Sequence, residues 1–180
     1  MYLPQEDSFF FADFLKTYLK NKNKSISILD MGAGSGILAE TCLSLGFKNV
    51  SAADIDSKAV KYLENKFKDF KAIHIIKSNL FSNSSLKKRK FDLILFNAPY
   101  LPKDKYDREK DTTGGKLGDE ISIKFLKQAK KHLFPGGKIL LLVSSLTPMN
   151  RIKKFNPEII ARKKLFFEEL LILEFSSYQN

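Results

Sequence analysis

The chain has 180 residues, a formal charge of +11 and 43% hydrophobic residues; that length predicts a single domain spanning 1–180, large enough to bury a core without disulfides or structural metal. No apolar run approaches the roughly 20 residues a membrane helix needs, and the acidic opening MYLPQEDSFF lacks the basic region of a signal peptide, so the expected location is the cytoplasm, with no membrane partner. The excess of positive charge fits either a nucleic-acid or acidic partner or a generally lysine-rich surface.

In chain order, Phe10, Phe11, Phe14, Leu15, Tyr18 and Leu19 recur at spacings of three and four, which predicts a helix over about 6–20 inside an N-terminal helical segment, 1–24. Short apolar runs follow at 25–30, 49–54, 72–77, 91–96 and 138–144, alternating with helical patterns at 36–45, 57–67 and 120–133. That alternation predicts βαβ units and a mostly parallel sheet. Two strand-like runs, 159–167 and 169–175, then follow with no helix between them, so the sheet is expected to end in an antiparallel element.

Cys42 is the only cysteine, which excludes an internal disulfide and a cysteine-based zinc site; a buried place on a helix suits it. His74 and His132 stand far apart in the pattern and are assigned core or surface roles, with no metal.

The first strand runs into ILDMGAGSGIL, where Asp30 is followed by Gly32, Gly34 and Gly36. Glycines after a strand let the backbone turn sharply and approach a ligand. A dinucleotide fingerprint beginning at Gly32 requires glycine where Ile37 stands; a shifted frame, Gly34-x-Gly36-x-x-Ala39, fits only the form that ends in alanine. No Lys-Ser or Lys-Thr pair follows, so a P-loop is excluded. Asp54 lies eighteen residues after Gly36, at the end of the second strand, where a carboxylate can accept from both hydroxyls of a ribose. Asp56 reads as the N-cap of the next helix. The third strand leaves through KSNLF, which brings Asn79 to the same end of the sheet.

Asp-x-Gly-x-Gly-x-Gly resembles the loop that binds S-adenosyl-L-methionine (SAM) in the methyltransferases called class I. The resemblance implies an α/β Rossmann-like fold, with a seven-stranded mostly parallel sheet and an antiparallel C-terminal strand. It implies a cofactor-binding set of Asp30, Gly32, Gly34, Gly36, Asp54, Ile55, Asn79, Leu80 and Asn97, with Asp30 toward the ammonium end of SAM and Asn79 near the adenine, where the family usually has aspartate. Asn97-Ala98-Pro99-Tyr100 resembles the (Asn/Asp)-Pro-Pro-Tyr motif of enzymes that methylate amide or exocyclic amino nitrogens. Such a nitrogen shares its lone pair with a neighbouring π system. Acceptors aimed at its hydrogens, the Asn97 side-chain oxygen and the carbonyl of Ala98, favour localising that pair, while Tyr100 stacks on the planar group. Asn97, Pro99 and Tyr100 are thereby the expected catalytic residues, and Asn97, Ala98, Pro99 and Tyr100 the expected substrate-binding residues.

YLPQEDSFFFADFL with Pro4, Glu6 and Asp7, NAPYLP, TTGGKLGDEISIKFL with Gly114, Gly115 and Gly118, and the ending ARKKLFFEELLILEF together resemble one branch. It is the archaeal and eukaryotic branch of the HemK-type protein-glutamine N5-methyltransferases. The resemblance implies a class I translation release factor as substrate, methylated on the glutamine of its Gly-Gly-Gln loop, with an open loop over 101–117 admitting the peptide. It also implies a small zinc-binding activator docked on the 72–77 strand, which the fold puts at a sheet edge, unless the flanking lysines and the 81–90 segment cover that edge. Two other readings remain open on sequence alone: an RNA or DNA amino-group methyltransferase acting on adenine N6 or guanine N2, and an inactive SAM-binding scaffold.

Overall fold

A computed structural model of the chain describes residues 4–100, 115 and 117–177. Among them lie α1 (Glu6–Tyr18), β1 (Ser27–Met31), α2 (Ile37–Ser44), β2 (Asn49–Asp54), α3 (Ser57–Lys66), β3 (Ile73–Lys77), α4 (Ser84–Lys87), β4 (Phe91–Asn97), α5 (Glu120–Ala129), β5 (Leu133–Ser144), α6 (Met149–Ile152), β6 (Glu158–Lys164) and β7 (Glu169–Ser176). The strands form one seven-stranded sheet in the order β3-β2-β1-β4-β5-β7-β6. β1 to β5 pair in parallel, and β7 runs antiparallel between β5 and β6. The expected α/β class, seven strands and antiparallel ending are all present.

Side-chain alternation explains how both faces are filled. Along β4, Leu93 and Leu95 join the core under α1, α2 and α3, whose buried contacts include Phe11, Leu15, Leu38 and Leu63. Ile94 and Phe96 point the other way, into the core shared with Phe125 and Leu126 of α5. β5 repeats this, with Leu140 and Leu142 on one side and Ile139, Leu141 and Val143 on the other. A central strand covered on both faces reads as a continuous apolar run.

The boundaries depart from the sequence expectation in two regions. The strand expected over 159–167 runs only from Glu158 to Lys164, because the chain turns at 165–168 to pair β6 with β7, so Phe166 and Phe167 lie in the connecting loop. The helix predicted over 120–133 stops at Ala129, passes through a 3₁₀ turn at Lys130–His132, and β5 already begins at Leu133. Pro135, Gly136 and Gly137 therefore lie inside a strand. The ladder accommodates them by an irregularity, since Phe91 pairs with Leu133 but Leu93 pairs with Lys138. His132 is buried, stacks on Phe81 with ring centres 4.1 Å apart, and its Nδ1 lies 3.0 Å from the Arg89 carbonyl. His74 is exposed on β3 and Cys42 is buried in α2.

β3 is an outer strand, as expected. Ile73 and Ile76 are buried, Ile75 is half-buried, and His74 and Lys77 are exposed. The following segment touches the end of this strand: Asn83 Nδ2 donates to the Lys77 carbonyl at 2.9 Å. Among the described residues, no helix is long and apolar enough to cross a membrane.

Candidate active site

The carboxyl ends of β1, β2 and β4 meet where the strand order reverses direction from β1, the place in an open α/β sheet that leaves a crevice. β1 delivers the glycine loop there. Gly32 has φ +63° and Gly36 φ +78°, conformations that L side chains rarely adopt. Packing beneath the loop excludes a side chain as well. A Cβ on Gly32 would sit 2.9 Å from Phe96 Cε2, and one on Gly36 2.6 Å from Leu63 Cδ2. These two glycines are thus explained by contact with the core under them. Ala33 N–H donates to the Ala53 carbonyl at 3.0 Å and Gly36 N–H to the Ala33 carbonyl at 2.7 Å.

Two carboxylates face the loop. Asp54, 8% exposed, accepts from Gly34 N–H through Oδ2 and from Asp56 N–H through Oδ1, both at 2.8 Å. A carboxylate oxygen carries two lone pairs, so each retains capacity for a ligand hydroxyl. Asp30, 1% exposed, accepts from Ala39 N–H at 3.0 Å in the first turn of α2. Burial drives its carboxyl up to about 7; the Ala39 hydrogen bond opposes that rise and the nearby Asp54 charge adds to it. No salt bridge engages Asp30 among the described residues. Asp56 is the expected N-cap of α3: it accepts from Lys58 N–H at 2.9 Å, and that bond holds its carboxyl below the ordinary range.

On the other side stands the end of β4. Asn97 Nδ2 donates to Asp7 Oδ2 at 3.2 Å and to Ser8 Oγ at 3.3 Å. A carboxylate only accepts, so the amide nitrogen must face Asp7 and the amide oxygen must face away. That oxygen, Asn97 Oδ1, is buried and accepts no hydrogen bond among the described residues. The hydroxyls of Ser51, Ser122 and Thr147 are also buried without partners, but none of them lines the cavity described next. Tyr100, half-buried, places its hydroxyl 3.5 Å from Asp7 Oδ2. Its phenol is raised above the ordinary range by burial first, then by the charges of Asp7 and Glu168.

These groups line one cavity of about 550 Å³, within the usual size of a small-molecule site. Of the sequence-predicted residues, Asp30, Gly32, Gly34, Asp54, Ile55, Asn79, Leu80, Asn97, Ala98, Pro99 and Tyr100 line it, whereas Gly36 does not. Ile55 is 62% exposed at its rim, Asn79 is exposed, and Leu80 is buried at φ +50° with its carbonyl accepting from Ser78 Oγ at 2.6 Å. Sequence reasoning gave no role to Asp7 and missed Ser8, Lys124 and Glu168, which also line the cavity. Asp7 was visible only as part of a resemblance, because nothing local connects residue 7 to residue 97. The expected loop over 101–117 lies almost wholly outside the described residues.

The arrangement can hold a ligand with a cationic end near Asp30, hydroxyls near Asp54 and an apolar part against Ile55. It presents an unengaged amide oxygen to whatever group enters beside Asn97.

The chain matches the family model of the methyltransferase small domain over residues 11–167. It is 37% identical to a Methanocaldococcus jannaschii protein provisionally named protein N5-glutamine methyltransferase, over 96% of this chain and 90% of that one. It is 36% identical to the release factor glutamine methyltransferase of Borreliella burgdorferi over 63% of this chain; the match covers only 43% of that bacterial protein. A ribosomal RNA small subunit methyltransferase C of Photorhabdus laumondii is 30% identical over 71% of this chain and 34% of its own length. Among solved structures, a ribosomal protein L11 methylase of Lactobacillus delbrueckii superposes with TM-score 0.70 at 20% identity, covering 95% of this chain and 79% of the other. With the family model matched over most of its length and an archaeal relative aligned nearly end to end, the chain belongs to the methyltransferase small domain family and is a SAM-dependent methyltransferase.

Proposed function

We propose that this enzyme methylates the side-chain amide nitrogen of a glutamine, in the Gly-Gly-Gln loop of a class I release factor. The observation that carries the reading is the Asn97 amide, with Nδ2 held by Asp7 and Ser8 and Oδ1 buried and unengaged beside the cavity. A buried acceptor without a donor is unfavourable by about 1–3 kcal/mol, and an N–H of the incoming amide would satisfy it.

The cavity fits SAM on its own chemistry. Asp30 is a buried carboxylate with no cationic partner among the described residues, and its proton affinity is raised chiefly by that burial; the ammonium end of SAM would supply a countercharge. Asp54 would accept from the ribose hydroxyls, Ile55 and Leu80 would flank the adenine, and Asn79 would reach its edge. Gly32 and Gly34 would pass beneath the cofactor, while Gly36 shapes the turn. When bound, SAM supplies an electrophilic methyl group on sulfur.

The protein's part is placement. Asn97 Oδ1 and the Ala98 carbonyl would accept the two amide hydrogens, drawing the nitrogen lone pair out of conjugation and toward the methyl group. Tyr100 and Pro99 would hold the amide plane. Alignment of nitrogen and methyl then provides much of the acceleration. No carboxylate needs to take a proton before transfer.

The Asn97 geometry suits a planar N–H2 group, and the names of the archaeal and bacterial relatives support glutamine as the one it serves. The ribosomal RNA relative supports the alternative of a nucleic-acid amino group. Incubation with labelled SAM decides between them, offering a release factor in one tube and ribosomal RNA in another. Label on the Gly-Gly-Gln glutamine, located by mass spectrometry, is the expected result; label on RNA alone would overturn it. A small zinc-binding activator on the outer edge of β3 is part of this proposal. Adding it should slow hydrogen exchange in residues 73–77, and unchanged exchange would remove it.

A further inference from the structure

The β6–β7 hairpin ends in two phenylalanines that no element among the described residues covers. Phe166 is 92% exposed and Phe167 86% exposed, more than any other exposed large hydrophobic among the described residues. Leu165 N–H donates to the Glu168 carbonyl at 2.8 Å and closes the loop around them. Their rings meet edge to face, with centres 4.6 Å apart. Tight loops ordinarily carry Gly, Asn, Asp or Ser, which suit the turn and hydrate well; nothing in this turn's geometry calls for two rings.

The hairpin tip is tied to the cavity. Glu168, next to Phe167, lines the cavity, and its carboxylate takes a hydrogen bond from the Ser144 hydroxyl. Lys163 pairs with Glu6 at 2.7 Å, one residue from the Asp7 that contacts Asn97. Glu169 N–H donates to Ser145 Oγ at 2.9 Å, which brings Leu146, 55% exposed, to the same rim. Phe166 and Phe167 thus stand two residues and one residue from the cavity-lining Glu168, and Leu146 stands next to the Ser145 hydroxyl that holds Glu169.

Local charge selects the occupant. Arg162 pairs with Glu169 at 2.9 Å and Lys163 with Glu6 at 2.7 Å, and Glu168 offsets the charge of Lys164 without pairing with it among the described residues. The tip is close to neutral despite the +11 charge of the chain. Single-stranded nucleic acid needs stacking rings inside a cationic groove, whereas a neutral aromatic knob beside a polar rim suits an apolar hollow on a protein. An acceptor glutamine alone offers little surface to bind, so affinity must come from contacts outside the cavity.

We infer that the Phe166–Phe167 tip, with Leu146, is the docking surface for the protein that carries the acceptor amide. This rests on the glutamine reading above. Burying one phenyl ring is worth roughly 10- to 100-fold in affinity. The test is steady-state methylation of a release factor by the wild-type enzyme, by the double variant Phe166→Ser/Phe167→Ser and by Leu146→Ser. In the double variant KM for the release factor should rise about 10- to 100-fold, and less in Leu146→Ser, with kcat and SAM affinity within twofold of wild type. An unchanged KM would overturn the docking surface, as would a joint loss of kcat and SAM affinity, which would mark the tip as structural. A wild-type enzyme that labels RNA and no release factor would overturn the glutamine reading and the choice of a protein occupant with it; that outcome is read without any variant.

Discussion

Asp30→Asn is expected to make the ligand-free protein more stable at pH 8 and to weaken its cofactor binding. Asp30 is 1% exposed and its carboxyl is raised from 3.8 to about 7, chiefly by burial. Between those two values the folded protein holds a proton that the unfolded chain has released, so this group lowers stability as pH rises from about 4 to 7 and adds nothing further above. The full effect at pH 8 is about 4 kcal/mol, and about 2–3 kcal/mol of it accrues between pH 5 and pH 7. Asparagine is close in shape, keeps an oxygen for Ala39 N–H and carries no charge. Urea unfolding of both proteins at pH 5, 6, 7 and 8 should therefore show the stability difference, variant minus wild type, increasing by about 2–3 kcal/mol over that range. Calorimetry at pH 8 should show SAM binding weakened at least tenfold in the variant. At pH 6.5 wild-type binding should release protons, because a cation near Asp30 lowers its proton affinity. A stability difference that is the same at pH 5 and pH 8 would refute the account of Asp30 as an isolated buried carboxylate.

Asn97→Ala should lower kcat at least 100-fold with SAM affinity within threefold, and Asp7→Ala should give a smaller loss of the same kind because it acts through Asn97 Nδ2; single-turnover rates and calorimetry separate the two quantities. Asp54→Ala loses the acceptor for Gly34 N–H as well as any ligand hydroxyl, so SAM affinity should drop roughly 10-fold or more, and unchanged calorimetric binding would remove Asp54 from the site. Gly36→Ala should lower the melting temperature by about 5–10 °C, since its Cβ would meet Leu63 and Phe67 at under 3 Å on a left-handed backbone; a change below 2 °C would show that the helix shifts freely.

The parallel part of the fold was legible because β1, β2 and β4 are buried on both faces and read as dense apolar runs between turn signals. β5 was read five residues short, because Phe134-Pro-Gly-Gly looks like a breaker while the ladder absorbs it as an irregularity. The helices α4 and α6 are four residues each, too short to show a 3.6-residue period. In the site, the residues at strand ends were legible from position alone. Asp7 and Ser8 were not, because their contact with Asn97 joins the first helical turn to a strand ninety residues later. Glycine spacing was legible, but it does not separate a glycine that faces a ligand from one pressed against the core. Gly36 belongs to the second kind.

Two unfavourable features of the site bear on how each ligand would bind. Burial, with the Asp54 charge beside it, disfavours the charged form of Asp30 at neutral pH, and a cationic group bound there would relieve that. Asn97 Oδ1 has no donor among the described residues, and an N–H of an entering amide would supply one. The first deficit lies in the cleft between β1 and β2, and the second at the end of β4 beneath α1. Cofactor binding can therefore proceed at full affinity without the acceptor, since it leaves the Asn97 deficit untouched. The acceptor, by contrast, gains only one or two hydrogen bonds at Asn97 and Ala98, too few for tight binding of a glutamine by itself. Random encounter with free glutamine should then give negligible turnover even at saturating SAM. Methylation of millimolar free glutamine at a rate near that on a protein would show that the cavity alone, and no surface outside it, selects the substrate.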